Sequence, residues 1–134
     1  MRVFLDTNVL VAAFATRGLC ADLVRTILAD HQLITGDVVL AELRTVLEER
    51  IKLPTSTITE IVALLRAQEV VPKPAQPSSL PIRDADDQWI VASAVAGRAD
   101  VLITGDQDLL AVARESPVPI LSPRGFWEQI RSGS

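Results

Sequence analysis

Apolar residues recur along the chain at two alternating spacings, and this alternation predicts the fold class. Short apolar runs bounded by polar or turn residues predict buried strands, whereas an apolar residue at every third or fourth position predicts a helix. The predicted strands cover 3–5, 32–35, 101–104 and 118–121. The predicted helices cover about 8–15, 19–30, 37–50 and 58–71. Three further helices are predicted: one that begins within 83–87 and ends at Gly97, one at 107–113, and one after Pro123. Strands that alternate with helices predict a three-layer α/β/α sandwich with a mainly parallel central sheet.

Two polar segments interrupt this alternation. Residues 57–60 (TITE) have the spacing of a capping box, so we expect the fourth helix to begin near Ile58. Residues 72–82 contain four prolines and two serines and predict a stiff, extended surface connector. A chain of 134 residues fits one domain, so we expect residues 1–134 to form a single domain with this connector inside it.

Composition narrows the class of protein and its cellular setting. The chain is 49% hydrophobic and 22% charged, which is typical of a compact globular domain and not of a disordered one. With one cysteine, Cys20, and one histidine, His31, neither an internal disulfide nor a Cys/His zinc site is expected. The longest apolar run is too short to span a bilayer. We therefore expect a cytoplasmic protein that does not associate with membranes.

Four acidic residues fall where an α/β fold collects its ligands. Asp6 and Asp106 each follow an apolar strand and open a helical segment, which places both at the carboxyl ends of parallel strands. Asp87 lies one turn before Ile90, on the helical stripe that faces the core. Glu42 lies at the margin of an apolar helix face. Taken singly, a helix N-cap (Asp6, Asp106) or a side chain that reaches out to solvent (Glu42) remains an alternative explanation.

Together, the four carboxylates indicate a cation site. Carboxylates within about 4 Å of one another repel by roughly 4 kcal/mol per pair at an effective dielectric constant of about 20, so a protein that holds them together needs a counter-ion. Oxygen ligands with almost no histidine or cysteine favour a hard ion, Mg²⁺ or Mn²⁺, which commonly binds a few carboxylates, water and substrate phosphate. The chemistry that such a site supports is metal-assisted phosphoryl transfer or hydrolysis.

Four stretches of the chain resemble the motifs of the PIN domain, and especially of the VapC-like toxins of bacterial toxin–antitoxin systems. They are 5–10 (LDTNVL), 40–43 (LAEL), 83–87 (RDADD) and 104–110 (TGDQDLL), in the family's order and over nearly the whole chain. The first and last are the specific ones. The resemblance implies a PIN-like fold and a Mg²⁺- or Mn²⁺-dependent endoribonuclease that cleaves RNA with a metal-activated water.

The same resemblance implies roles for particular residues and partners. Asp6, Glu42, Asp87 and Asp106 would hold the metal, and Asn8, Asp84, Thr104 and Asp108 would support them. Toxins of this type form homodimers and are silenced by a cognate antitoxin, so we expect both here. The chain departs from related sequences at Ala85, where many carry proline.

The surface that would bind RNA is less clearly marked. The net charge is −4, which argues mildly against a general nucleic-acid coating protein, because phosphate neutralisation by basic residues dominates such binding. Only two of the 13 basic residues are lysines, and the arginine fork suits phosphate. Arg17, Arg44, Arg83 and Arg124 are the candidate RNA contacts, with solvated surface arginines as the alternative.

Two other functions remain open. A phosphoryl-transfer domain of haloacid dehalogenase or receiver type also places an Asp after its first strand, but it needs a lysine near the phosphoryl group. Lys52 and Lys73 are poorly placed for this role, and Asn8 stands where such a phosphatase would need a second Asp. The other alternative is a catalytically silent PIN module that only binds partners.

Overall fold

The computed structural model describes residues 1–132, which form a central sheet with helices packed against it. In chain order the elements are β1 (Arg2–Leu5), α1 (Thr7–Ala15), α2 (Leu19–Asp30), β2 (Gln32–Gly36), α3 (Asp37–Glu49), α4 (Thr55–Arg66), β3 (Glu69–Val71), α5 (Ala85–Ala96), β4 (Val101–Ile103), α6 (Gln107–Ala111), β5 (Ile120–Leu121) and α7 (Pro123–Ser132). The predicted alternation of strands and helices is confirmed.

The sheet is entirely parallel, with the strand order β3-β2-β1-β4-β5. From β1 the chain moves first toward β2 and β3 and then back toward β4 and β5. By the right-handed rule for parallel crossovers, α1 to α4 belong to one face of the sheet and α5 to the other. α7 returns to pack against α2. The expected α/β/α layering is thus confirmed, and the carboxyl ends of all strands share one edge.

The core lies where the apolar runs meet the helix stripes. Phe4, Leu5, Ile34 and Leu102 are fully buried in the three central strands. Parallel strands are covered on both faces, which is why they read as continuous apolar runs in the sequence rather than as an alternation. This core fixes the backbone positions from which the acidic side chains extend.

Two elements differ from the sequence-based expectation. α4 begins at Thr55 rather than near Ile58, with Pro54 at its N-cap and no side-chain cap, so the predicted capping box of residues 57–60 is wrong. The carbonyl of Pro54 accepts the first helical bond from Ile58 N at 3.1 Å, and the fixed φ of proline already suits a helix start. The predicted end of this helix is also wrong: α4 ends at Arg66, and residues 69–71, which were predicted as helix, form β3. Three residues of an edge strand are too few to show a period.

The proline-rich segment 72–82 contains neither helix nor strand. It is tied to α5 by Gln88. The side-chain NH₂ of Gln88 donates to the backbone carbonyls of Leu80 and Ile82 (3.1 Å to the latter), and its backbone carbonyl accepts from Ser78 N at 3.0 Å. Leu80 and Ile82 also pack against the core. The segment is therefore held against the fold immediately beside Asp87.

None of the helices in the described part of the chain is by itself long and apolar enough to cross a membrane; α1 and α2 pass that test only together, as a pair bent by 103°.

Candidate functional site

The carboxyl ends of β1 and β4 bring two of the predicted acids to one edge of the sheet. Leu5 and Ile103 are paired in register, and Asp6 and Asp106 follow within three residues of them. Asp6 is the N-cap of α1 and Asp106 is the N-cap of α6. Each aspartate therefore does cap a helix, and the same position directs it to the edge where α/β proteins bind ligands.

Asp6 is held by a short hydrogen-bonded chain. Its side chain is 2% exposed, Oδ1 accepts from Thr7 N at 2.7 Å and Oδ2 accepts from the Thr104 hydroxyl at 2.6 Å. The Thr104 hydroxyl in turn accepts from Asp106 N at 3.0 Å. Burial raises the pKa of Asp6, and the bonds from Thr104 and Thr7 oppose that rise. The carboxylate is thus fixed in orientation but unfavourably placed for a negative charge.

The first turn of α5 adds more carboxylates. Asp84 is the N-cap and accepts from Asp86 N at 2.8 Å, while Asp87 points inward and is only 7% exposed. Burial raises the pKa of Asp87 to about 7, with further contributions from the charges of Asp106, Asp6 and nearby acids. The predicted inward position of Asp87 is confirmed, and among residues 1–132 no basic side chain forms an ion pair with it.

Glu42 approaches the same region from α3. It is half-buried, and burial raises its pKa, with the negative charges of Asp6, Asp86 and Asp84 acting in the same direction. The neighbouring Thr7 hydroxyl opposes this rise. Thr7 Oγ1 is buried and has no partner with hydrogen-bond geometry among the described residues. Thr7 Oγ1, which lies near Asp6 and Glu42, is therefore free to bond to a ligand.

A cavity of about 590 Å³ opens beside these residues, between α1, α3 and the start of α5. Its polar lining includes Asn8, Glu42, Asp84 and Asp86, and its apolar lining includes Val11 from α1. The predicted supporting residues Asn8 and Asp84 therefore face the same space as Glu42. Asp86 was not predicted; its signal was its place in the acidic run 83–87, which also fits a helix N-terminus.

The acids do not form a ready-made metal cage. Within residues 1–132, no three His, Cys, Asp or Glu side chains converge closely enough to hold an ion. The donor set nevertheless suits Mg²⁺ or Mn²⁺, because such ions commonly bind one or two carboxylates and complete their shell with water and phosphate. Neighbouring negative charges contribute to the raised pKa of Asp6, Glu42 and Asp87, and one basic residue, Arg50, also lines the cavity.

Of the predicted site residues, only Asn8, Glu42 and Asp84 line the cavity; Asp6, Asp87, Thr104 and Asp106 lie beside it, and the others do not line it either. The Asp108 side chain is exposed, and only its backbone N–H reaches the site, by donating to Asp106 Oδ1 at 2.8 Å. Arg17, Arg83 and Arg124 are exposed, and Arg44 faces a different cavity between α3 and α4. Within residues 1–132 the acids thus lie near the carboxyl-end edge of the sheet without three of them converging on one point, and the four candidate arginines are dispersed.

Comparison with solved structures shows the fold again. The crystal structure of VapBC2 from Rickettsia felis, bound to a DNA fragment from its promoter, is similar to this chain with a TM-score of 0.67 and 18% identity, over 91% of this chain and 98% of that chain. The structure of VapBC-1 from nontypeable Haemophilus influenzae is similar with a TM-score of 0.60 and 21% identity, over 92% of this chain and 99% of that chain. No curated protein matches the chain.

A family model identifies the family of this chain, which the similarity of fold alone does not. The model described as the PIN domain matches residues 2–108, from β1 through the acidic residues that follow β4. The matched region contains every acidic residue of the edge cluster. The chain belongs to the PIN domain family.

Proposed function

We propose that this protein is a Mg²⁺- or Mn²⁺-dependent endoribonuclease, the toxin of a type II toxin–antitoxin pair. The observation that carries the proposal is the match of residues 2–108 to the PIN domain. The environment of Asp87 supports it, because burial, and then the charges of neighbouring acids, raise the pKa of this carboxyl to about 7. In the family to which the chain belongs, such a cluster is the expected place for a divalent cation. Membership of the PIN domain family supports the nuclease activity.

Four residues would hold the cation, and four would support them. Asp6, Glu42, Asp87 and Asp106 are the proposed ligands; Asn8, Asp84, Thr104 and Asp108 are the proposed supporting residues. When bound, a divalent cation activates water for attack on a phosphodiester and offsets charge on the phosphate. Thr104 orients Asp6, and Asp106 stays fixed by the backbone donors of α6.

Asp87 can also hold a proton in this site. With a pKa of about 7, its carboxyl is protonated in a substantial fraction of molecules near neutral pH until a positive charge faces it. A carboxylate of matched pKa is suited to accept a proton from an attacking water and to return it later. In this proposal a bound cation offsets the burial that raises the pKa of Asp87, and the resulting carboxylate both binds the cation and can accept a proton.

The proposed partners follow from the similar structures. Both are VapBC proteins, toxin and antitoxin together, so we propose a cognate antitoxin that covers the acidic cavity. We also propose an RNA substrate, with Arg17, Arg44, Arg83 and Arg124 as candidate contacts, a homodimer, and a cytoplasmic location. Leu64 on α4 and Val95 on α5 are exposed apolar side chains that a subunit contact would cover. Light scattering on the purified chain tests the dimer.

The decisive experiment is cleavage of defined RNAs with and without Mn²⁺, by the wild type and by Asp6→Asn and Asp87→Asn. Both variants should lose metal-dependent cleavage while their circular dichroism stays that of the wild type, because one ligand charge is removed with little change of shape. Asp30→Asn is the matched control: it removes one exposed acid at the opposite edge of the sheet, before β2.

Three outcomes would count against the proposal. Unchanged cleavage in both variants would remove the acids from the mechanism. Absence of cleavage by the wild type on every RNA tested would favour a silent, partner-binding PIN module. Rapid turnover of a small phosphomonoester without RNA cleavage would favour a phosphoryl-transfer domain, although Lys73 lies over the Trp89 ring at 4.4 Å rather than at the acidic cavity.

A further inference from the structure

Helix α3 separates two cavities of opposite character. Glu42, Val46 and Glu49 recur at helical spacing and line the acidic cavity described above. A second set at the same spacing faces the other way and, with two residues of α4, lines a cleft of about 440 Å³. We call this the arginine cleft; its residues are Asp37, Leu40, Ala41, Arg44, Val62 and Arg66. Helix α3 therefore contributes residues to both cavities.

The arginine cleft carries uncompensated positive charge. Within residues 1–132, Arg44 makes no ion pair and no side-chain hydrogen bond. Arg66 faces Asp37 at 3.5 Å, a loose contact in which both side chains remain about half exposed, at 56% and 51%. The cleft thus contains two guanidinium groups and one carboxylate, and that carboxylate contacts Arg66 alone. An anion entering the cleft can replace or join that carboxylate without displacing a buried contact.

The cleft also opens toward the acidic edge of the sheet. Asp37 is the first residue of α3 and directly follows β2, so it lies at the same carboxyl-end edge as Asp6 and Asp106. Its contact with Arg66 places the end of α4 there as well. An α-helix with its side chains is about 10–12 Å wide, so the two cavities are roughly one helix width apart. A single nucleic-acid strand crossing the start of α3 can reach both.

We propose that Arg44 and Arg66 form a phosphate clamp that holds the RNA backbone a few nucleotides from the scissile bond. This inference rests on the proposed ribonuclease function and adds how the substrate is held. It also explains how a chain of net charge −4 with an acidic active edge can bind a polyanion: the positive contact is displaced to the far side of α3. Asp37 then acts as an internal competitor that limits non-specific binding.

The test measures RNA binding in EDTA, by fluorescence anisotropy with a labelled single-stranded RNA across a KCl series, so that it does not depend on cleavage. The double variant Arg44→Ala/Arg66→Ala should bind about 10-fold or more weakly at low salt, and its log–log salt dependence should be shallower by about 1.4, because each phosphate neutralised on a single strand contributes about 0.7. Arg25→Ala/Arg131→Ala removes the same charge from exposed positions outside both cavities and should retain the wild-type salt dependence.

Asp37→Asn provides a variant that acts in the opposite direction. Without the competing carboxylate, Arg66 is free for phosphate, so this variant should bind RNA several-fold more tightly than the wild type at low salt. Asp30→Asn removes the same charge at the opposite edge of the sheet and is the matched control. A gain in Asp37→Asn that exceeds the gain in this control supports the clamp, and equal gains in the two variants overturn it.

The outcomes distinguish this inference from the proposed function. A wild type that cleaves RNA, with a double variant that binds as the Arg25/Arg131 control does, overturns the clamp and leaves the nuclease standing. A wild type that binds RNA through these arginines but never cleaves supports the clamp and overturns the nuclease. If the double variant Arg44→Ala/Arg66→Ala lost binding to the antitoxin while its RNA binding stayed unchanged, the cleft would be a site for an acidic peptide and the RNA clamp would be overturned.

Discussion

The Thr104 hydroxyl donates a 2.6 Å hydrogen bond to Asp6 Oδ2, joining the ends of two neighbouring strands that are 98 residues apart in sequence. Thr104 Oγ1 also accepts a hydrogen bond from Asp106 N at 3.0 Å. One threonine therefore fixes the orientation of a carboxylate after β1 and of the loop after β4. It is also the hydrogen bond that most opposes the rise of the Asp6 pKa caused by burial.

Replacing Thr104 with valine tests this relationship. The change keeps the shape but leaves Asp6 Oδ2 and Asp106 N without their partner, so the pKa of Asp6 should rise further and stability should fall by about 1–3 kcal/mol. Mn²⁺ affinity, measured by calorimetry, should fall by about 10- to 100-fold, as is usual when a partner of a metal ligand is lost. Thr104→Ser keeps the hydroxyl and should restore affinity; equal affinity in both variants would contradict the role.

The stability of the metal-free protein should fall as pH rises. Burial and neighbouring acids raise the pKa of Asp87 from 3.8 to about 7, so between those values the folded chain binds a proton that the unfolded chain has released. More protons bound to the folded state means that stability decreases with rising pH across that window. The raised pKa values of Asp6 and Glu42 act in the same direction.

Thermal melts in EDTA at both ends of that window check the sign. Asp87→Asn should flatten the dependence and raise the melting temperature at the alkaline end, because it removes the charge that is costly to bury. Asp30→Asn, at the opposite edge of the sheet, should keep the wild-type slope. A wild type that gains stability toward alkaline pH would contradict the raised pKa of Asp87 and show that another group stabilises its negative charge.

Gly97→Ala should destabilise the fold by overpacking. An added Cβ would lie 2.7 Å from Val71 Cγ2 and 3.2 Å from Ile34 Cγ2, where β2 and β3 meet the end of α5. Crowding a well-packed core by one methyl group typically costs about 1–3 kcal/mol. Gly105→Ala is the control, since its Cβ would meet no atom within 4 Å. Denaturant unfolding should therefore separate the two variants, and equal midpoints would refute the packing account.

Gln88→Leu should release the proline-rich segment. The leucine cannot donate to the carbonyls of Leu80 and Ile82, so residues 72–82 lose their side-chain tie to α5. Limited proteolysis should then cut within 72–82 faster than in the wild type. Gln76→Leu changes an exposed residue of the same segment and should leave the cleavage rate unchanged. Identical proteolysis of both variants would show that Leu80 and Ile82 are held by packing alone.

Much of the fold could be predicted because its signals are local. The α2 bounds Leu19–Asp30 follow from an apolar residue at every third or fourth position, and the strand at Val101–Ile103 follows from an unbroken apolar run. Asp87 was correctly placed facing inward by counting one turn back from Ile90. The predicted start of α4 was wrong because the capping pattern of residues 57–60 lies inside the helix, which begins at Thr55 with Pro54 as its N-cap.

The sequence by itself determined the α/β class, the parallel sheet and the placement of Asp6 and Asp106 after strands, because these depend on periods and boundaries within short segments. Tertiary structure alone decided the rest. The pairing of β3 with β2, the bond from Thr104 to Asp6, the pKa of Asp87 and the cavity that Arg44 and Arg66 both line all depend on residues from different elements. Such contacts depend on how the helices cross the sheet, and no local pattern encodes the distance between two side chains on separate elements.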